Sequence, residues 1–128
     1  MKTVLKSLLA LSLLALFFSS CKNDCVAPAL SENILGTWSV STESGSEVEF
    51  KSGGELVDAN GVLIDGESNG VPFSEKSYAT NADSSTISFF AYTPDSTGGV
   101  EYTVNVTQNE CDKVVFELIG IPVTLKRK

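Results

Sequence analysis

Across residues 100–107 apolar and polar side chains alternate without a break: Val100, Tyr102, Val104 and Val106 against Glu101, Thr103, Asn105 and Thr107. A period of two is that of a strand with one face buried and the other in water, as in antiparallel sheets. The same pattern runs less strictly through residues 37–42, 47–51, 55–58, 62–65, 86–92, 113–119 and 122–127. Turn residues separate these runs at Ser52-Gly53-Gly54, Asn60-Gly61, 95–99, 109–112 and Gly120. Asn60-Gly61 is the strongest hairpin signal, because both central residues of a type I′ turn need positive φ.

No stretch between these turns is long or periodic enough for a crossover helix, so neighbouring strands pair antiparallel. The pattern predicts an all-β fold of about eight short strands, closed as an up-and-down barrel or stacked as a sandwich. Residues 66–85 are polar and rich in Ser, Asn and Ala, and read as a long loop with one poor strand, a surface loop or a lid over the barrel mouth. Before the first strand, Ser31 stands as a helix N-cap ahead of Glu32-Asn33-Ile34-Leu35, with Gly36 as the stop. A single N-terminal helical turn abutting one end of the barrel follows.

The N-terminus has a different pattern. Lys2 and Lys6 precede an uninterrupted apolar run over residues 8–18 and the small pair Ser19-Ser20. That is the layout of a secretory signal peptide over 1–20, and the run is shorter than the roughly 20 residues a membrane-spanning helix needs. Phe18-Ser19-Ser20-Cys21 resembles the lipobox of bacterial lipoproteins, with Phe in place of the usual Leu. The resemblance implies that Cys21 is acylated and becomes the mature N-terminus, so that the protein is held on a membrane by its lipid. Two or more acyl chains suffice for stable anchoring, at about 0.8 kcal/mol per buried CH₂. In such lipoproteins Asp after the cysteine goes with retention in the inner membrane. Lys22 in that position implies the outer membrane, and Lys22-Asn23-Asp24 is similar to surface-export signals of Gram-negative lipoproteins. Residues 21–30, with Pro28, form the tether, and 31–128 the barrel domain.

Cleavage removes two of nine basic residues and none of the sixteen acidic ones, leaving a net charge of −9. Such a surface disfavours nucleic acid, whose affinity comes from Lys and Arg on phosphates. With Cys21 lipidated, Cys25 and Cys111 are left as a pair in an oxidising compartment. Two unpaired thiols, or an intermolecular bond through Cys25, are the alternatives.

Leu35-Gly36-Thr37-Trp38, the run Val48-Glu49-Phe50-Lys51-Ser52-Gly53-Gly54-Glu55-Leu56 and the closing Val123-Thr124-Leu125-Lys126-Arg127 together resemble the small lipocalin-like lipoproteins of Gram-negative bacteria. The resemblance implies that Gly36, Trp38 and Arg127 form a structural latch, the tryptophan packing across the closed end of the barrel against the late arginine. The Thr-Asp-Tyr motif of larger lipocalins is absent, and the chain is shorter than theirs. A barrel of this size is filled by its own side chains or holds one small ligand. Phe50, Phe89, Tyr102 and Phe116 are the candidate ligand-lining residues, for a small apolar or amphipathic molecule.

Chemistry is sparse. The chain has no histidine, which excludes His-based triads, general bases and metal sites. No Gly-rich phosphate loop precedes a helix, and no cofactor is expected. Asp58-x-Asn60 with Asp65-x-Glu67 is the densest carboxylate set, attractive to a hard cation such as Ca²⁺. Its spacing differs from an EF-hand loop, and solvated hairpin ends account for it more simply, so no metal is expected. Asp95-Ser96-Thr97 is similar to short bacterial O-glycosylation sites, with Ser96 as acceptor. The reading is a non-enzymatic, lipid-anchored barrel, either a carrier of a small ligand or a surface module whose solid barrel contacts protein or glycan through its loops.

Overall fold

The computed structural model describes residues 25–83 and 85–128. The expected signal peptide, Cys21 and residues 22–24 lie outside the described residues. Among the described residues one helical turn, α1 (Leu30–Asn33), precedes ten strands: β1 (Gly36–Val40), β2 (Glu47–Phe50), β3 (Leu56–Val57), β4 (Glu67–Ser68), β5 (Val71–Pro72), β6 (Glu75–Asn81), β7 (Thr86–Tyr92), β8 (Gly99–Glu110), β9 (Lys113–Leu118) and β10 (Ile121–Arg127). Eight of them form one antiparallel sheet in the order β3-β2-β1-β10-β9-β8-β7-β6. Each of β6 to β10 pairs with its chain neighbour, and the first strand joins the last through Trp38↔Arg127 and Val40↔Leu125.

The sheet curls into a nearly closed barrel. Its two ends meet at the Glu55↔Ser77 bridge and at the Tyr78 N–H, which donates to the Gly54 carbonyl at 2.8 Å. Inward positions alternate as the pattern required: β7 buries Ile87, Phe89 and Ala91 and leaves Ser88 and Phe90 partly outside. Trp38, Phe50, Phe89 and Phe116 are each at most 1% exposed. Burial of one such side chain contributes about 1.5–3 kcal/mol.

Three expectations are corrected. Residues 62–65 form no strand. The Asp58 carboxylate accepts hydrogen bonds from the backbone N–H groups of Val62, Leu63 and Ile64 at 2.8, 3.0 and 2.8 Å, so the donors a ladder would need are taken by a side chain. Asn60-Gly61 accordingly turns within this loop, not between two strands. Second, residues 66–85 contain the β4–β5 hairpin and β6, a full strand of the barrel. Its polarity hid it: the residues facing the same way as buried Tyr78 are Lys76 and Thr80, and Lys76 is held there by Asp58, 3.7 Å from Oδ2. Third, Ser31 lies inside α1 and does not cap it. Ala29 is the N-cap, and its carbonyl accepts the N–H groups of Glu32 and Asn33, both at 2.9 Å.

Candidate functional site

The two ends of the barrel are built differently. At one end α1, the start of β1 and the end of β10 converge on Trp38. Its indole N–H donates to the Ile34 carbonyl at 2.7 Å, and the guanidinium carbon of Arg127 lies 4.3 Å from its ring centroid. The same guanidinium donates to the carbonyls of Cys111, Leu35 and Asn33 and to the Asn33 side chain, at 2.6–3.1 Å. Asn33 in turn donates to Asn109 and to the Glu110 carbonyl, each at 2.7 Å. Arg127 thus ties the helical turn, the β8–β9 turn and the last strand together, and a stacked cation on an aromatic face adds about 0.5–2 kcal/mol. Gly36, at φ +107°, makes the backbone bend that starts β1 beside the guanidinium. Cys25 and Cys111 form a disulfide with Cα atoms 6.2 Å apart, fixing the tether to this same end.

The opposite end carries the loops between β1 and β2, β3 and β6, β7 and β8, and β9 and β10. Asp58 organises it. Wrapping residues 62–64 around the buried carboxylate drives Leu63 and Ile64 into the mouth, where they are 5% and 2% exposed. The Tyr102 hydroxyl donates to the Leu63 carbonyl, and the Lys76 ammonium donates to the Asp58 carbonyl at 2.7 Å. Burial, and secondarily the Asp58 charge, push the Tyr102 phenol above its ordinary range. The sequence reads Asp58 as part of a solvated hairpin end and gives no plug, whereas the structure buries the residue. A signal did exist in the unpaired apolar Val62-Leu63-Ile64 following Asp58 and a glycine.

Of the four candidate ligand-lining residues, three fill the interior. Phe89 lies centrally, its ring centroid 6.3 Å from Phe50, 5.9 Å from Phe116 and 5.3 Å from Tyr102. At these separations the rings are in contact and leave no room for a ligand between them. Tyr102 alone of the four reaches a groove at the mouth, of about 450 Å³, lined by Leu63, Ile64, Asp65, Tyr102, Glu117 and Leu118 among others. Ile119 stands at its rim, 93% exposed.

Other polar groups are engaged locally. Asp95 accepts the Thr93 and Thr97 hydroxyls at 2.7 and 2.8 Å and the Thr97 N–H at 3.2 Å. These bonds, led by Thr93, hold its carboxyl below the usual range. Ser96 sits exposed on that turn at φ +56°. Lys128 pairs with Glu47. Among the described residues no group of three or more acidic or cysteine side chains is placed to hold a metal ion, and no helix is long and apolar enough to cross a membrane. No protein-family model, curated protein or solved structure matches the chain.

Proposed function

We propose that this chain is a lipid-anchored, non-enzymatic lipoprotein of the outer membrane, built on a lipocalin-like barrel that acts as a surface interaction module. The observation that carries this reading is the filled interior. Phe50, Phe89 and Phe116 occupy the space a carried molecule would need, and the open concavity lies outside them at the mouth. The disulfide adds a direction. Cys25 is bound to the closed end, and four residues of extended chain reach at most about 14 Å, so acylated Cys21 would keep that end near the membrane and turn the mouth away from it.

A second reading, a small amphipathic ligand, is favoured by the volume of the mouth groove, which falls within the roughly 300–1,000 Å³ of small-molecule sites. Native mass spectrometry of protein purified from its own host separates the two. Apo protein, with no thermal shift across a panel of lipids and haem, is expected. A stoichiometric co-purifying small molecule would replace the first reading with the second. The anchor has its own test: Cys21→Ser should release the protein from membranes, and continued attachment would defeat the lipoprotein assignment.

A further inference from the structure

Between β8 and β9 the barrel wall opens. Their ladder runs from Glu110↔Lys113 to Val106↔Phe116 and stops there, while β8 continues back to Gly99 paired only with β7. One bond sets the direction of the free edge. The Val106 N–H donates to the Ser85 carbonyl on the β7 side at 2.8 Å, and alternate residues of an antiparallel strand turn their backbone groups to opposite neighbours. Val104, Tyr102 and Val100 therefore bond to β7. Glu101 and Thr103 turn their N–H and C=O groups into the gap, where no strand among the described residues pairs with them.

Beneath this edge lies the mouth groove, with Leu63, Ile64, Tyr102 and Leu118 as its apolar floor. Asp65 and Glu117 line it, Glu101 is exposed beside it, and no Lys or Arg is among its lining residues. The barrel's other gap, between β3 and β6, differs because the Tyr78 N–H bond to the Gly54 carbonyl and the Glu55↔Ser77 bridge already cross it. An unpaired edge is a template for another strand, and in strand addition main-chain bonds give affinity while pockets take alternate side chains. Carboxylates around such a pocket select a basic partner.

We propose that the β8 edge at Glu101–Thr103 is a strand-addition site for an extended segment of a partner protein that alternates aliphatic and basic side chains. The aliphatic residues enter the groove over Leu63 and Leu118, and the basic ones meet Asp65, Glu101 and Glu117. The proposal rests on the interaction-module reading and gives it a partner class and a binding mode.

The test uses the mature chain with its disulfide intact and a short synthetic peptide alternating valine and lysine, read by calorimetry and by amide hydrogen exchange. The peptide should bind, bind more weakly as salt rises, and protect the Thr103 amide. Its valine–glutamate counterpart should not bind. Thr103→Pro removes the N–H that faces the gap, a substitution edge positions accept, together with the hydroxyl that meets Ser88 Oγ at 2.7 Å, and Thr103→Val removes that hydroxyl alone. It should weaken binding by about tenfold, the size of one lost hydrogen bond, whereas Thr103→Val should not. Wild-type affinity in Thr103→Pro, or unchanged exchange at Thr103 in the saturated wild type, would overturn strand addition, and the exchange measurement decides even where the proline variant fails to fold. Binding lost in Glu117→Lys but kept in Thr103→Pro would retain the mouth as an interaction surface and reject the strand mode. No binding by the wild type would reject this partner class and leave the anchored module to its membrane test.

Discussion

Replacing Asp58 by alanine tests the account of the barrel mouth most directly. The carboxylate is 3% exposed as a residue and accepts three backbone N–H groups, with the Lys76 ammonium 3.7 Å away. A hydrogen bond to a charged group nets about 1.5–3 kcal/mol, so three independent losses would come to several times that. They are not independent. Val62 is only half-buried, and once the carboxylate is gone water can reach its N–H. Leu63 and Ile64 are buried, so satisfying theirs requires the plug to leave the mouth. Loss of one partner from a buried charged cluster costs about 3–5 kcal/mol, and that is the expected destabilisation of Asp58→Ala. Against a total of about 5–15 kcal/mol for a domain, such a loss leaves a marginal fold. Urea unfolding followed by Trp38 fluorescence measures it from the far end of the barrel, so the signal reports global unfolding and not local loosening. Amide exchange at Leu63 and Ile64 should accelerate well beyond the global change. Asp58→Asn, which keeps one acceptor oxygen, should fall between the two. A loss below about 1 kcal/mol in the alanine variant, with Leu63 and Ile64 still protected, would refute the claim that this carboxylate builds the plug.

Trp38→Ala should destabilise by about 3–5 kcal/mol, because it empties the closed end and strips Arg127 of its stacking partner; a change within about 0.5 kcal/mol would show that the latch does not hold the fold. Cys25→Ser should lower stability by about 4–5 kcal/mol in the chain-entropy account, since the bridge closes a loop with a sequence separation of 86, and equal urea midpoints with and without reductant would contradict it. The Tyr102 phenol is raised above its ordinary value of 10.0 by burial, so its contribution is fully present below that pH and is lost as the pH rises through the raised value. Unfolding midpoints should therefore fall on the alkaline side of 10.0, and less steeply in Tyr102→Phe; parallel slopes would mean that the phenol is not desolvated in the fold.

The fold class and most of the strands are legible in the sequence, because a period of two in β1, β7, β8 and β9 is the direct imprint of one wet and one buried face. Glycines and the Asn109 to Asp112 turn then left only antiparallel neighbours within reach. With Cys21 read as the lipidated cysteine the sequence also points to Cys25 and Cys111 as a pair, and the Cα separation of 6.2 Å decides for that bridge over free thiols or an intermolecular bond. What the pattern could not carry was any role that depends on a residue distant in the chain. β6 places Lys76 on its inner face, which breaks the alternation, and only the Asp58 carboxylate 18 residues earlier makes that position tolerable. Val62-Leu63-Ile64 has the composition of a strand, yet the same carboxylate takes its N–H groups before a neighbour can. Whether four aromatic residues line a cavity or fill it depends on ring separations of a few ångströms, and the early end of the β8–β9 ladder depends on register. Periodicity records which face of a strand is buried, but which partner sits beside it, and where that partner stops, is decided only when the barrel closes.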